Sequence, residues 1–225
     1  MARSADELMA VAERVRQRGG TTAVLVSDLG TPGATDLLTA RLAEHNESVD
    51  VLINNAGYGI VGPFLEASAE DAEGMGMLNA VALTSLTRQL VPGMVERGRG
   101  GVLNVGSVAS FVPAPRFAVY GATKAYVLSL TDALHRELAE TGVHVSCLCP
   151  GPVRTSFADR AGMDDRFFSG AMSAERVVEA GLVGLAVNRR RVVPGVLNKL
   201  QAFSSAWVPS GITLRVTEAV MKRAG

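Results

Sequence analysis

The chain has 225 residues, 48% of them apolar and 20% charged, which is the composition of an ordinary globular protein with enough length for a sizeable core. Lys and Arg number 22 and Asp and Glu number 22, so bulk attraction to nucleic acid or to an anionic membrane is not what the chain as a whole is built for. Its local basic runs, at 14–18 and 189–191, read as solvated ends of elements.

Met1-Ala2-Arg3-Ser4 has no basic start, apolar stretch or small-residue cleavage site, and so does not read as a leader. Residues 5–18 place Leu8, Val11, Ala12 and Val15 on one face and predict a helix that Gly19-Gly20 stops. Residues 23–26 form a short apolar strand, and 33–46 a helix through Leu37, Leu38 and Leu42. Residues 51–53 make a second strand that runs into Asn54-Asn55-Ala56-Gly57. A long helix over 69–97 follows, with Pro92 as a kink. The third strand is 102–105, the next long helix 117–140, and the fourth strand 143–148. Cys147 and Cys149 fall on one face there, which suits small buried residues better than a disulfide; with three scattered His, no metal-site spacing appears. A loop spans 150–172, and Ser173 caps a helix that reaches Val187. Residues 192–193 are a last short strand, and the tail reads as two amphipathic helices, 196–208 and 212–223. No apolar run reaches membrane-spanning length.

Apolar strands alternating with helices predict a mostly parallel sheet covered on both faces, a doubly wound α/β fold. The expected domain covers 1–194, with 195–225 as a helical extension of it. The cysteine usage fits a reducing, cytoplasmic setting.

Several motifs bear on chemistry. Gly57-Tyr58-Gly59-Ile60-Val61-Gly62 matches a dinucleotide fingerprint, but Pro63 and a loop follow it where a helix is required, so it reads as a Gly-rich turn. Tyr120 and Lys124 stand four apart on a helix and share a face. At ~4 Å and an effective dielectric of ~20, an ammonium attracts a phenolate by ~4 kcal/mol, enough to bring a tyrosine near the working pH of a general acid/base. Ser107 ends the third strand, at the rim where ligands bind in parallel sheets, and Ser110 is a second candidate with poorer spacing. Asn54-Asn55-Ala56-Gly57 ends the second strand with small residues that admit a ligand, and with Asn side chains that can tie strands together. Asn79 sits inside a helix, where Asn is disfavoured, so a kink or a polar partner is expected. Pro150-Gly151-Pro152-Val153 with Thr155 is a rigid turn at the same rim.

In this order, Asn54-Asn55-Ala56-Gly57, Asn79, Ser107, Tyr120 with Lys124, and Pro150-Gly151 resemble the short-chain dehydrogenase/reductase family over nearly the whole chain. The resemblance implies an NADP-dependent oxidoreductase that moves a hydride between a nicotinamide and a carbonyl or secondary alcohol. Tyr120 would be the acid/base. Lys124 would lower its pKa and bind the nicotinamide ribose, Ser107 would hold the substrate oxygen, and Asn79 would position a relay water. Pro150, Gly151, Val153 and Thr155 would contact the nicotinamide half, Asn54, Ala56 and Gly57 the middle, and Asp28 and Leu29 the adenine. Arg3, standing where the family selects its cofactor and preceded by Ala2, favours NADP over NAD. Family members pair through their long helices, so a homo-oligomer is expected.

One departure is large. The family's opening strand, Gly-rich pyrophosphate turn, first helix and most of its second strand have no counterpart, so the fold is expected to be N-terminally truncated and its strand edges unpaired. The 225-residue chain is expected to bind NADPH poorly, and a version extended upstream to bind it well. Two classes therefore stand: the oxidoreductase, and a non-catalytic remnant or binding scaffold that kept the active-site residues but lost cofactor binding. Phe157, Met163, Phe167, Phe168 and Met172 suggest a lid over a substrate with an apolar body. The tail, with Phe203, Trp207 and Leu214, has four readings: packing on the domain, extending the pocket, joining subunits or touching a membrane.

Overall fold

The computed structural model describes residues 4–164, 168, 170–204 and 207–224. The chain divides into two compact units, Met1–Ser48 and Val49–Gly225. The boundary expected near Pro194 therefore lies inside the second unit.

The first unit holds helices α1 (Ala5–Gln17) and α2 (Ala34–Glu44). Ser4 caps α1 by accepting from the Glu7 amide at 3.3 Å, with Asp6 and Glu7 in the first turn where the helix dipole favours them. The strand expected over 23–26 is not formed: only Val26 makes a bridge. A strand exists through pairing, and within this unit no second strand is described to complete a ladder.

The second unit is a four-stranded parallel sheet in the order β1 (Val51–Asn54), β2 (Gly100–Val105), β3 (Val143–Leu148), β4 (Arg191–Val192). Neighbours in the chain are neighbours in the sheet, so each crossover returns through helices: α3 (Ala69–Gly76) and α4 (Leu83–Glu96), then α5 (Ala118–Glu137), then α6 (Ser156–Ala161) and α7 (Ala174–Ala186). The strand alternation sorts the core into two layers. Val102, Val143 and Val145 pack with Val91 and Met94 of α4, while Leu103 and Leu148 pack with Val177 and Leu185 of α7. Helices thus cover both faces, as the doubly wound reading requires. On β1 the α7-side residues Val51 and Ile53 stay half exposed.

On the α4–α5 face the apolar layer gives way to a polar ladder. Asn54 Nδ2 donates to Asn104 Oδ1 at 2.8 Å and to Thr87 Oγ1 at 3.1 Å, and Asn104 Nδ2 donates to Thr131 Oγ1 at 3.0 Å. Thr87 and Thr131 in turn donate to carbonyls of their own helices. All four side chains are buried, so each hydrogen bond offsets a desolvation cost that an unpaired group would carry in full.

Three differences from the sequence reading have local causes. The helical stretch from Ala69 to Glu96 is interrupted by a π-helical turn, Met77–Ala82, centred near Asn79, and it runs on through Pro92. The loop after Pro150 contains the short helix α6. Arg191 is not a solvated end: it is half-buried and grips the Asp132 carboxylate through Nε and Nη2, which ties β4 to α5. The tail forms α8 (Val196–Ser204) and α9 (Ser210–Met221), and Cys147 and Cys149 are buried free thiols 3.6 Å apart.

Candidate active site

The carboxyl ends of β1, β2 and β3 open onto one cavity of about 1090 Å³ in the second unit, lined by Gly57, Ser107, Tyr120, Lys124, Pro150 and Gly151 among others. The α5 helix delivers Tyr120 and Lys124 one turn apart, both buried. Tyr120 stacks on Phe117 with ring centroids 4.2 Å apart and meets Phe157 at 5.5 Å. The Lys124 ammonium lies 5.7 Å from the centre of the Tyr120 ring and donates to the Val105 carbonyl at 2.7 Å.

Ser107 follows β2 in extended conformation and caps a short 3-10 turn, Val108–Ser110. Its Oγ accepts from the Ala109 amide at 3.1 Å, while its own amide donates to Ser110 Oγ at 3.1 Å. Its hydroxyl proton is thus left for the phenol, to which it is bonded, or for a ligand. Both hydroxyl oxygens hold that turn, but only Ser107 also lines the cavity, and Ser110 does not.

Burial dominates the electrostatics. It pushes the Tyr120 phenol up to about 12, against the pull of the Ser107 hydroxyl. It drags the Lys124 ammonium down to about 8, against the attraction of the Cys147 and Cys149 thiols. The expectation that Lys124 brings the phenol near neutral pH is corrected here: desolvation of a wholly buried phenol outweighs an amine that is itself desolvated.

Asn79 lies in the π-helical turn, fully buried. Its Nδ2 donates to the Tyr58 carbonyl at 2.8 Å and to Thr123 Oγ1 at 3.1 Å, and its Oδ1 accepts from the Tyr58 amide at 3.1 Å. It therefore clamps the Gly57-Tyr58 segment to α5, which is the reason an Asn sits in a helix there. A Cβ on Gly57 would come 2.8 Å from Asn79 Oδ1 and 3.5 Å from Lys124 Nζ, so glycine keeps this corner open. The turn after β1 does not open a helix at Gly62, in line with its rejection as a dinucleotide fingerprint. Gly59 serves packing instead: a Cβ there would meet the Phe117 and Tyr120 rings at 2.7 Å. Gly59→Ala is expected to destabilise the chain by about 1–3 kcal/mol in denaturant unfolding.

The remaining expected residues divide. Gly57, Pro150, Gly151, Val153 and Thr155 line the cavity with the catalytic candidates. Asn54 does not: its side chain is committed to the ladder on the helix face of the sheet, and Asn55 lines the cavity in its stead. Ala56 lies exposed and outside the lining. Asp28 and Leu29 belong to the first unit, where the Asp28 carboxylate accepts from the Gly30 amide at 3.0 Å, and Arg3 lies outside the described residues.

Sequence reasoning missed most of the apolar lining. Phe117, three residues before Tyr120 on the same helix, was readable from spacing. The α9 wall (Val216, Val220 and Met221) follows the pocket-extending reading of the tail, through residues that nothing local singled out. Phe157, Met163 and Phe168 line the cavity as expected of the lid, Met172 packs behind it against the Leu103–Leu148 layer, and Phe167 lies outside the described residues.

The short chain dehydrogenase family model matches residues 1–165. The ketoacyl reductase HetN of Nostoc sp. is 35% identical over 153 residues, 68% of this chain and 53% of that protein. A fatty acyl-CoA reductase of Mycobacterium tuberculosis is 33% identical over 214 residues, 92% of this chain and 72% of that protein. The chain spans little more than half the length of HetN and 59% of the oxidoreductase UcpA of Escherichia coli. Among solved structures, a short-chain dehydrogenase from Sphingobium yanoikuyae in complex with NADPH superposes with a TM-score of 0.81 at 34% identity, covering 91% of this chain and 81% of that one. With the family model covering most of its length and the Ser107, Tyr120 and Lys124 side chains gathered at the sheet's carboxyl rim, the chain belongs to the short chain dehydrogenase family.

Proposed function

We propose that the chain is an NADP-dependent oxidoreductase that interconverts a carbonyl and a secondary alcohol on a substrate with an apolar body. The observation that carries the reading is the placing of Tyr120, Lys124 and Ser107 on a single cavity with the bare backbone of Gly57 and Gly151. The similar Sphingobium protein was solved with NADPH, which supports the choice of cofactor.

The residues present fit the nicotinamide half of the cofactor. Of three N–H groups on the Lys124 ammonium, the Val105 carbonyl takes one, leaving donors for ribose hydroxyls. Gly57, Gly106 and Gly151 make room for Asn79, Cys147 and Asn198 behind the rim, which keeps the lining flush there. Lys124 is the one cation among the described lining residues, so the pyrophosphate finds little counter-charge and NADPH is expected to need high concentration. The preference for NADP rests on Arg3; competition between NADPH and NADH, with Arg3→Ala losing any bias, tests it.

The bound nicotinamide supplies the hydride. In the reductive direction Tyr120 donates its proton to the substrate oxygen, and Ser107 donates a hydrogen bond to the same oxygen. A phenol held up at about 12 stays protonated across the neutral range, as a proton donor must. Lys124 supports the phenolate left behind while it carries its charge. Phe157, Met163 and Val220 exclude water from this transfer and form the wall for an apolar substrate.

A pH profile follows. The Lys124 charge is present below about 8 and lost above it, so reduction should be level up to that point and decline beyond it. Lys124→Met should be slow at every pH and lack the inflection. A rate that rises through this range in the reductive direction overturns the assignment. The overall test is a carbonyl panel under saturating NADPH, with bulky apolar ketones and aldehydes turned over ahead of small polar ones. A chain that neither binds NADPH nor turns over any carbonyl supports the scaffold reading instead. Light scattering tests the expected homo-oligomer.

A further inference from the structure

Helix α8 carries an apolar face that the core does not use. Its inner side is fixed: Ala202 packs into the cluster around Cys149 and Val193, and Asn198 donates to the Pro194 carbonyl at 2.7 Å. The outer side presents Val196, Leu200 and Phe203 at the three- and four-residue spacing of one helical face, with Leu197 beside them. Val196, Leu200 and Phe203, together with Lys199 and Trp207, frame a shallow hollow of about 370 Å³. Leu197 is 81% exposed and Trp207 90%, values more typical of charged side chains.

Charge sets the kind of partner. From Val196 onward the chain carries Lys199, Arg215, Lys222 and Arg223 against Glu218 alone, although the whole chain has a formal charge of zero. Lys222 pairs with Glu218 at 2.7 Å, so the acidic group is already answered, and Lys199, Arg215 and Arg223 are exposed. Exposed leucines, a phenylalanine and a tryptophan beside the exposed Lys199, on a tail with excess positive charge, are the chemistry of a helix that lies in a membrane interface, with cations reaching anionic headgroups and indole at their level.

We infer that α8 and Trp207 dock on the anionic surface of a lipid bilayer. A second copy of the chain suits the face less well, because a self-complementary contact brings the Lys199 ammonium of one copy toward that of the other. Among the described residues no helix is long and apolar enough to cross a membrane, so the contact is a peripheral one. Gln201 of α8, Val208 and Ile212 also line the large cavity, which places its apolar wall beside the docked face and gives a lipophilic molecule a short route from bilayer to cavity. The docking inference stands apart from the enzymatic reading.

Trp207 is the single tryptophan of the chain, so its emission reports on this face alone. The 225-residue chain is titrated with vesicles of phosphatidylcholine and with equimolar phosphatidylcholine and phosphatidylglycerol. The expected result is a blue shift and co-sedimentation with the anionic vesicles, protection of Trp207 from acrylamide quenching, and binding to phosphatidylcholine alone weaker by ~tenfold or more. Leu197→Glu with Leu200→Glu should lower partitioning by ~tenfold or more with unchanged circular dichroism. Lys199→Glu should weaken binding and Lys199→Arg preserve it. An unshifted and fully quenchable Trp207 on anionic vesicles overturns the proposal. So does equal binding to both vesicle types. A blue shift on concentrating the protein without lipid, together with a dimer in sedimentation, assigns the face to a second copy and overturns it as well. No activity is read, so failure here leaves the oxidoreductase reading untouched.

Discussion

Tyr120→Phe is expected to lower carbonyl reduction by ~10²–10⁴-fold, the range that positioned acid/base groups supply. The loss should fall on kcat, because the substitution removes the donated proton and leaves the surroundings in place. The ring stack on Phe117 and the contact with Phe157 need only the ring. Lys124 keeps its bond to the Val105 carbonyl, so NADPH binding should change little. Stability should hold or rise, since the phenol is deeply buried and its hydroxyl is desolvated there. Ser107 offers the control. Ser107→Ala removes a donor to the same oxygen but also the cap on the 3-10 turn, where the Ala109 amide loses its acceptor. It should therefore lower kcat and cost ~1 kcal/mol of stability together. Fluorescence titration with NADPH, steady-state kinetics and denaturant unfolding separate these outcomes. Wild-type turnover in Tyr120→Phe refutes the assigned acid/base.

Asn104→Leu is expected to destabilise the fold by about 2–4 kcal/mol, in line with breaking a buried polar network at its centre. Asn104 is wholly buried. It accepts from Asn54 Nδ2 and donates to Thr131 Oγ1, so leucine takes one of two acceptors from the Asn54 amide and the donor from the Thr131 oxygen. For a chain of this size that corresponds to a fall in Tm of ~5–15 °C. The pairing makes a sharper prediction than the single variant. In a double-mutant cycle, Asn54→Leu and Asn104→Leu together should cost less than the sum of the two, because removing both partners of a bond avoids the orphaned amide. Additive losses would show that the ladder is not an energetic unit. The prediction also bears on the site, because Asn54 anchors the strand end from which Asn55 and Gly57 enter the cavity.

Much of the fold was legible because local periodicity is enough to identify strands and helices buried in parallel layers. The Val143–Leu148 strand, the helix that Ser173 caps and the long α5 helix came directly from apolar spacing and caps. The strand expected at 23–26 was legible as an extended apolar segment and still did not form as one, since a ladder depends on a partner that periodicity cannot supply. Asn54 shows the same limit at the site. Its place at a strand's end pointed both to the cavity and to a tie between strands, and the pleat gives the tie by sending its side chain to the opposite face, where Asn104 and Thr87 hold it. Asn104 itself, a lone amide inside an apolar strand, was a visible sign of a buried network.

By itself the sequence determined the alternation of strands and helices, the turn-by-turn pairing of Tyr120 with Lys124, and the family resemblance, all of which rest on near neighbours or on order along the chain. Tertiary structure alone decided that Ser107, rather than Ser110, lines the cavity, that α9 forms one of its walls, and that burial holds the phenol protonated and the amine close to losing its charge. Desolvation and cavity shape depend on what distant segments bring together, and the one-dimensional pattern does not encode that distance.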